Sequence, residues 1–257
     1  MKIITWNCKM NFKKEYPLLF PLKPDIIVIP ECEDLSTINF DLFSNSPSDF
    51  YWIGKNPNKG LGVISFNNFK IELYKNYSNS FEYILPLIFK KNQEVYHLLG
   101  VWTQLVGDKK NQPPFNEKIY DSNGKMIPIN YIRQLRLSII EYNDFLEHEN
   151  TIICGDFNSN LLWKKKQGIV TDRDHEYVVK HLNNKNIFSS YHHYFKEKQG
   201  EETLPTFYYH HKKEKPFHID FCFLSKKLLD NITKVEVGKY EDWIKYSDHV
   251  PMIIEMN

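Results

Sequence analysis

The stretch Thr151-Ile-Ile-Cys-Gly-Asp-Phe-Asn-Ser159 joins a short apolar run to a turn that carries polar side chains. Its first four residues are β-branched or apolar, which is typical of a strand. The Gly155 to Asn158 segment that follows is typical of a turn with hydrogen bonds between side chain and backbone. The stretch therefore predicts a strand that is followed directly by Asp156 and Asn158.

Further strands and helices are predicted on both sides of this stretch. The same kind of apolar run occurs at Ile3 to Asn7, Ile26 to Ile29, Leu61 to Phe66, Val95 to Trp102, Ile219 to Leu224 and Met252 to Glu255. Just upstream, Tyr131 to Glu149 places apolar residues at steps of three and four, which predicts an amphipathic helix. Asp172 to Lys185 and Glu15 to Phe20 predict two more helices, the second stopping before Pro21.

The order of these elements indicates the fold class. Several strands follow one another without a helix between them, so the pattern predicts a mixed α/β core of sheets covered by helices, not a strict βαβ alternation. No Gly-rich phosphate loop follows the first strand, which disfavours a simple Rossmann fold. Segments rich in Pro, Asn and Gly predict surface loops at Asn45 to Gly60, Gly107 to Pro128 and Lys196 to Pro205. Without a repeat or a low-complexity linker, residues 1–257 are expected to form a single domain.

Composition limits the classes of function. The chain has 33 basic and 32 acidic residues and a net charge of +1, so an anionic partner must be met by a local patch. The four cysteines lie in or beside apolar runs, without disulfide or zinc spacing, and are predicted to be reduced core thiols. No signal-peptide pattern or membrane-spanning stretch is evident, so we expect a cytoplasmic protein without membrane contact. Nothing in the sequence indicates an obligate protein partner.

A group of polar residues accompanies the predicted strands. Most lie where a strand ends: Asn7, Glu31, Asp156, Asn158, Asp248 and His249. Asp220 falls inside an apolar run, where a carboxylate needs a partner or a cation, and His249 is the candidate partner. Each residue taken alone also fits an exposed strand end or a structural turn. Together, these carboxylates, carboxamides and a histidine match what a Mg²⁺ ion and a phosphate group need.

Six blocks that contain these residues resemble the endonuclease/exonuclease/phosphatase superfamily, which includes exonuclease III, the abasic-site endonucleases and DNase I. The blocks are Thr5-Trp-Asn-Cys8, Pro24-Asp-Ile-Ile-Val-Ile-Pro-Glu31, Gly60-Leu-Gly-Val63, Gly155-Asp-Phe-Asn-Ser159, His218-Ile-Asp-Phe221 and Ser247-Asp-His249. The resemblance lies in their joint order and covers nearly the whole chain. It implies a DNase I-like four-layer α/β sandwich, in which two packed, mainly antiparallel β-sheets are flanked by helices.

The resemblance also implies a metal site. Glu31 and Asp248 would hold the ion, and Asn7 would be a ligand or would orient a ligand. The implied cofactor is Mg²⁺, for which Mn²⁺ could substitute.

Catalytic roles follow from the same resemblance. Asp156 would position or deprotonate the attacking water, and Asn158 would orient a phosphate oxygen. His249, held by Asp220, would hydrogen-bond or donate to the phosphate during an in-line displacement.

Two departures from the family pattern are visible. Pro30 stands where a glutamine usually precedes the metal-binding glutamate, which leaves the ligand itself intact. The strand Val95 to Trp102 commonly delivers a tyrosine or a histidine to the site, but here the sequence runs Gly100-Val-Trp-Thr-Gln104. Trp102 and Gln104 are the candidates to take over that role.

Further candidates for substrate contact are Arg133, Trp163, Tyr209 and Lys212. The last three lie where aromatic residues and lysines alternate, as a nucleic-acid strand would need for stacking and phosphate neutralisation. The alternative is a short strand followed by solvated lysines. Arg133 shares a helical face with Arg136, where it could reach a phosphate or pair with a carboxylate.

Three functions remain open from the sequence. We favour a metal-dependent phosphodiester hydrolase that acts on DNA as an endonuclease or exonuclease. A phosphatase or phosphodiesterase of a small nucleotide, inositol phosphate or lipid is the second, although the Cys-Asp-Arg block usual in inositol phosphatases is replaced by His218-Ile-Asp-Phe-Cys222. An inactive binding module is the third, and the presence of every candidate carboxylate argues against it. A zinc site at the histidine doublets and a cysteine nucleophile are disfavoured by side-chain direction and by apolar surroundings.

Overall fold

The computed structural model describes residues 1–40, 46–104, 132–162 and 172–257. The strands in these residues are β1 (Lys2–Thr5), β2 (Ile26–Cys32), β3 (Asp49–Asn56), β4 (Lys59–Ser65), β5 (Lys70–Leu73), β6 (Ile84–Lys91), β7 (Glu94–Trp102), β8 (Thr151–Asp156), β9 (Ile187–Ser189), β10 (Phe207–Tyr208), β11 (Pro216–Phe217), β12 (Asp220–Ser225), β13 (Ile232–Val237) and β14 (Met252–Met256). The α-helices are α1 (Phe12–Glu15), α2 (Ile132–Glu141), α3 (Asp172–Asn184), α4 (Ser190–Phe195), α5 (Lys226–Leu229) and α6 (Tyr240–Trp243).

Two six-stranded sheets form the centre of the fold. Their strand orders are β13-β14-β1-β2-β4-β3 and β5-β6-β7-β8-β12-β9, and β10 and β11 form a separate pair. Neighbouring strands are antiparallel except for β1 with β2 and β7 with β8, which are parallel. These are the two mainly antiparallel sheets, flanked by helices, that the sequence predicted.

Both sheets are buried on both faces, and successive side chains along each strand enter different cores. In β2, Ile26 and Val28 point into the core between the sheets, whereas Ile27 and Ile29 point into an outer core. In β8, Cys154 faces the inner core and Ile153 faces the outer core under α2 and α3. Because successive side chains of a strand point to opposite faces, a strand buried on both sides must be apolar throughout.

All seven predicted strands are present, with small shifts at their ends. The helix predicted over Tyr131 to Glu149 is shorter: α2 ends at Glu141, and a 3₁₀ turn at Phe145–Glu147 completes the segment. Tyr142 and Leu146 still pack in the outer core, which explains the unbroken apolar periodicity.

Two sequence predictions are wrong. The helix expected over Glu15 to Phe20 is replaced by α1 and two 3₁₀ turns, and Pro21 lies inside the second turn because the start of a helix does not need its missing N–H. The loop expected over Asn45 to Gly60 contains β3, whose Tyr51 and Ile53 pack against the inner core.

The remaining predictions concern two loops, the cysteines and membrane-spanning segments. Lys196 to Pro205 contains no helix or strand, as predicted, and Gly107 to Pro128 lies outside the described residues. All four cysteines are buried and unpaired. Within the described ranges, no helix combines the length and apolar character needed to cross a membrane.

Candidate active site

The ends of four strands meet at one edge of the two sheets. Asn7 follows β1, and Glu31 lies near the end of the parallel strand β2. Asp156 ends β8 directly opposite Asp220, the first residue of the antiparallel strand β12. Parallel neighbours end at the same edge of a sheet, and an antiparallel neighbour begins there. The topology therefore brings together carboxylates that are far apart in the sequence.

Asp156, Asp220 and His249 form the buried centre of the site. His249 Nδ1 lies 2.8 Å from Asp220 Oδ2, and His249 Nε2 lies 4.0 Å from Asp156 Oδ2. Ligand atoms of the three residues all lie within 4.8 Å of one another. The carboxylate of Asp220 fixes the ring so that Nε2 faces Asp156, and the pairing of Asp220 with His249 agrees with the sequence prediction.

Amide donors hold the Asp156 carboxylate in place. Asn7 Nδ2 and Asn158 Nδ2 each donate to Asp156 Oδ2 at 2.9 Å, and the backbone N–H of Asn158 donates to Oδ1 at 2.8 Å. Asn158 Nδ2 also donates to the carbonyl oxygen of Thr103 at 2.7 Å. The carboxylate is thus oriented by groups from three segments of the chain.

The electrostatics of the centre differ from those of free side chains. Burial, together with the neighbouring Asp220 carboxylate, raises the pKa of Asp156 to about 8. Burial disfavours the imidazolium form of His249, but the adjacent Asp220 and the more distant Asp156 outweigh it and raise the pKa of His249 to about 9. Near neutral pH, the Asp156 carboxylate can therefore take up a proton, and the His249 imidazole stays protonated.

The backbone is strained at two of these positions. Glu31 has φ of 56° and Asn158 has φ of 44°, in the left-handed region that residues other than glycine adopt infrequently. Glu31 sits where the register between β2 and β4 shifts, between Pro30 and Cys32. Such strain is often found at functional sites, where it aims a side chain that a regular strand would place elsewhere.

The residues predicted to bind a metal are next to this centre. Asn7 Nδ2 lies 3.4 Å from Glu31 Oε1, and Asn7 Oδ1 accepts the backbone N–H of Lys9 at 3.0 Å. Its amide oxygen is thus turned to the backbone, so in this structure Asn7 orients ligands. Glu31 Oε2 and Asp248 Oδ2 lie 3.3 Å from Lys59 Nζ and 2.8 Å from Lys9 Nζ, respectively.

The donor set fits a hard divalent cation. Asp220 Oδ1 is buried and has no hydrogen-bond partner among the described residues, although its other oxygen is bonded to His249. An uncompensated buried carboxylate oxygen is costly, and coordination to a cation would compensate it. Carboxylate oxygens are also the ligands that Mg²⁺ prefers.

Two predicted substrate contacts need correction. Trp102 is only 1% exposed and lies in the core between the sheets, with its ring 4.5 Å from that of Tyr83. Arg133 is buried, and its guanidinium binds Asp174, which also binds Arg136. Both side chains are occupied inside the protein, which leaves neither free to face a substrate.

The remaining predicted contacts lie at the surface or outside the described residues. Gln104 is half-buried and directly follows Thr103, so it is at the edge of the site. Tyr209 and Lys212 are exposed on the segment after β10, close in sequence to Phe207, whose ring lies 4.6 Å from that of His249. Trp163 lies outside the described residues.

The turn after Asp156 belongs to a buried polar network that was not predicted from the sequence. Ser159 Oγ lies 2.9 Å from His175 Nδ1, which ties the turn after Asp156 to α3. Asn160 Nδ2 donates to Glu202 Oε2 at 3.1 Å and to the carbonyl oxygen of His218 at 2.9 Å. Burial lowers the pKa of His175 to about 4, so this imidazole is neutral at physiological pH. Serine, asparagine and histidine are too common for their positions alone to have indicated the network.

The backbone around His249 is held in a similar way. Ser247 Oγ donates to the carbonyl oxygen of Asn7 at 2.7 Å and accepts the backbone N–H of His249 at 3.1 Å. Trp6 Nε1 donates to the carbonyl oxygen of His249 at 3.0 Å. These hydrogen bonds connect the end of β1 to the segment before β14.

Proteins similar to this chain are found among solved structures. No protein-family model and no curated protein matches the sequence. Among solved structures, the 3′-5′ exonuclease NExo from Neisseria meningitidis is similar over 100% of both chains, with a TM-score of 0.68 and 16% identity. The endonuclease domain of TRAS1, a telomere-specific non-LTR retrotransposon, has a TM-score of 0.61 and 15% identity over 100% of this chain and 97% of that one.

A third structure extends the likeness. The AP endonuclease LMAP from Leishmania major is similar over 100% of this chain and 87% of its own, with a TM-score of 0.64 and 11% identity. At such identities the likeness establishes the fold. The chain therefore has the same fold as these three proteins, a DNase I-like fold.

Proposed function

We propose that this protein is a divalent-metal-dependent phosphodiester hydrolase of the nuclease type that acts on DNA. The observation that carries the proposal is the buried cluster of Asp156, Asp220 and His249, in which a proton acceptor and a proton donor face the same space. Buried ionisable groups that lie this close together and whose pKa values are both raised are typical of catalytic sites. The fold, which the chain shares with nucleases, supports the same reading.

Glu31 and Asp248 are the residues that would hold the metal ion, with Asn7 orienting Glu31. Asn7 also connects Glu31 to the buried cluster, in which Asp220 Oδ1 is a further carboxylate oxygen without a partner among the described residues. When bound, a Mg²⁺ or Mn²⁺ ion would neutralise the charge that develops on the phosphate oxygens. The remaining chemistry belongs to the side chains of this chain.

Asp156 is the group that receives the proton of the attacking water. Its raised pKa makes it a stronger base than an exposed carboxylate, and the amide groups of Asn7 and Asn158 hold both of its oxygens in place. A base is most effective when its pKa is close to the working pH. As the water oxygen bonds to phosphorus, its proton moves to Asp156.

His249 is the group that donates to the phosphate. Its Nδ1–H is bonded to Asp220, which leaves Nε2–H free to donate to a phosphate oxygen or to the leaving oxygen. The bond from phosphorus to the leaving oxygen breaks as the bond to the water oxygen forms. Because the imidazolium is favoured by Asp220, His249 is in the donating form before the reaction starts.

DNA is the proposed substrate class for two reasons. Tyr209 offers an exposed ring close to Lys212 and Lys215, a combination suited to base stacking and phosphate neutralisation. In addition, the 3′ phosphatase NExo from Neisseria, 16% identical with a TM-score of 0.67 over 100% of this chain and 99% of its own, was solved with a product DNA hairpin.

The decisive experiment measures metal-dependent turnover by the wild type and by His249→Ala. The substrates are end-labelled single-stranded, duplex and abasic-site oligonucleotides, with a phosphodiester dye and inositol phosphates alongside. We expect oligonucleotide cleavage that requires Mg²⁺ or Mn²⁺ and that falls by about 10²- to 10⁴-fold in His249→Ala. His181→Ala, on the helix α3, is the control histidine variant and should keep wild-type turnover.

Each contrary result has a definite meaning. Cleavage of only the dye or the inositol phosphates would move the assignment to a small-molecule phosphoesterase that uses the same side chains. Full turnover by His249→Ala would reject the proposed chemistry altogether.

A further inference from the structure

Two lysines occupy carboxylates that the proposed function assigns to the metal ion. Lys9 Nζ lies 2.8 Å from Asp248 Oδ2, and Lys59 Nζ lies 3.3 Å from Glu31 Oε2. The lysines come from different parts of the fold, the segment after β1 and the start of β4. Together, the two ammonium groups carry the same charge as one divalent cation.

The backbone around Lys9 has an unusual conformation. Lys9 has φ of 52° and the next residue, Met10, has φ of 61°, so two consecutive residues without glycine's freedom adopt the left-handed conformation. The backbone N–H of Lys9 is held by Asn7 Oδ1 at 3.0 Å, and that of Met10 by the carbonyl oxygen of Glu31 at 2.6 Å. Strain maintained by such bonds is typical of functional segments.

His211 is a second partner of the Lys9 ammonium group. Its Nδ1 lies 3.1 Å from the carbonyl oxygen of Ile244, which can only accept a hydrogen bond, so Nδ1 carries the proton. Its Nε2 therefore accepts from Lys9 Nζ at 3.0 Å. His211 and the preceding His210 also have left-handed φ values, of 57° and 56°. A second strained segment thus gives Lys9 a partner that remains when Asp248 is withdrawn.

Lys59 has an alternative partner as well. Its Nζ lies 5.0 Å from the centre of the Trp102 ring, within the range of a cation–π contact. Both lysines are therefore held near the site by a neutral group in addition to the carboxylate.

Each ammonium group also has at least one N–H donor that the described part of the chain leaves available to a ligand. An ammonium has three N–H donors, and Lys9 uses two of them, on Asp248 and His211. The Lys9 side chain is 41% exposed and that of Lys59 is 35% exposed, so both reach solvent at the mouth of the site. The solvent side of a phosphodiester site is where an anionic strand must arrive.

We propose that Lys9 and Lys59 are exchangeable counter-ions, which give up Asp248 and Glu31 to the divalent cation and then bind phosphates of the substrate strand. The proposal rests on the proposed function. The exchange keeps the charge of the site constant, because one divalent ion replaces two ammonium groups. It also couples metal to substrate: each favours the state in which the lysines have left the carboxylates.

The test measures two affinities in the full-length chain, for Mn²⁺ alone by calorimetry and for a phosphorothioate-linked single strand at several salt concentrations. In Lys9→Gln and in Lys59→Gln we expect Mn²⁺ to bind about two- to fivefold more tightly, because the competing ammonium is gone. The same variants should bind the oligonucleotide more weakly, with a salt slope reduced by about 0.7 for each lost phosphate contact.

Two further variants serve as controls. Lys90→Gln removes a lysine of similar exposure that pairs with Glu72 on β5, and neither affinity should change. Lys9→Arg keeps the positive charge and should keep the wild-type Mn²⁺ affinity within about twofold. Thermal unfolding of each variant establishes that it is folded before it is titrated.

Opposing changes in the two affinities distinguish this proposal from a structural role. Weaker Mn²⁺ binding in Lys9→Gln and Lys59→Gln would mean that the lysines position the metal ligands. An unchanged Mn²⁺ affinity or an unchanged salt slope would mean that they form ordinary surface ion pairs. Each of these outcomes overturns the proposal. Failure of the proposed function would be seen separately, as absence of oligonucleotide hydrolysis by the wild type.

Discussion

At position 220, a buried carboxylate begins a strand whose other residues are all buried as well. Its backbone N–H, like that of Ile219, donates to Thr206 Oγ1 at 3.0 Å, so the start of β12 is fixed at the site. One side-chain oxygen orients His249, and the other has no partner among the described residues. A group placed in this way acts on the neighbouring imidazole and also has an oxygen to offer to a cation.

Asp220→Asn should reduce turnover less than His249→Ala does. The amide can still accept the Nδ1–H of His249, but it lacks the charge that raises the pKa of that imidazole to about 9. The protonated fraction of His249 will then fall at a lower pH than in the wild type. We expect kcat to drop by about 10- to 100-fold and the alkaline limb of the pH profile to move to lower pH.

The pH profiles of the two proteins, measured from pH 6 to pH 10 on one oligonucleotide, test this expectation. The direction of the shift is the informative result. An alkaline limb that stays in place, or that moves to higher pH, would show that the protonated imidazole is not the active form.

At the level of elements, the parallel pairing of β7 with β8 places Asp156. Gly155 lies opposite Val101 and has φ of 144°, and a Cβ atom there would lie 1.9 Å from the carbonyl oxygen of Val101. The strands can therefore approach closely only because residue 155 is glycine. The turn that follows is then tied down by Ser159 and Asn160.

Gly155→Ala should destabilise the protein by about 3 kcal/mol or more, since the clash is with backbone that cannot move aside. Gly100→Ala is the matched control in the facing strand. A Cβ there would meet its nearest neighbour, Val63 Cγ2, at 3.4 Å, so a change within about 1 kcal/mol is expected.

Urea denaturation of both variants, followed by far-UV circular dichroism, gives the comparison. Equal stabilities would mean that β8 can shift away from β7 without cost, and that the close approach of the two strands does not determine where Asp156 lies.

At the level of the whole molecule, the core between the sheets is apolar and independent of the site at its edge. It contains side chains from both sheets, among them Ile3, Val28, Leu98, Ile152 and Met252. The carboxylates of Asp248, Glu31 and Asp220 at this edge are paired with Lys9, Lys59 and His249, respectively. Side chains of the protein itself therefore offset much of the carboxylate charge at this edge, whereas Asp220 Oδ1 has no partner among the described residues.

Removal of divalent metal by a chelator should abolish turnover and leave the fold intact. A ligand present at a few times its Kd stabilises a protein by about 1 kcal/mol, which corresponds to a Tm change of about 2 to 4 °C for a chain of this size. We expect unchanged near-UV circular dichroism and a Tm shift in this range on addition of EDTA. Loss of the near-UV signal would instead identify a structural metal ion.

Much of the fold was accessible from the sequence because burial leaves a pattern. Strands covered on both faces must be apolar throughout, so runs such as Ile26 to Ile29 and Thr151 to Cys154 could be recognised. The exposed edge strand β3 was missed because only some of its residues are half-buried, which leaves a weak pattern among turn-forming residues. Asp220 was found for the opposite reason, since a charged residue inside an apolar run requires a partner.

The sequence by itself determined the main strands, the residues at their ends and the pairing of Asp220 with His249, because these follow from burial and from the cost of an unpaired charge. Only the tertiary structure decided that Trp102 and Arg133 face the interior, and that Lys9 reaches Asp248, 239 positions along the chain. An ion pair between exposed side chains leaves no periodicity in a sequence. It depends on where two distant segments come to lie, which only the packed sheets determine.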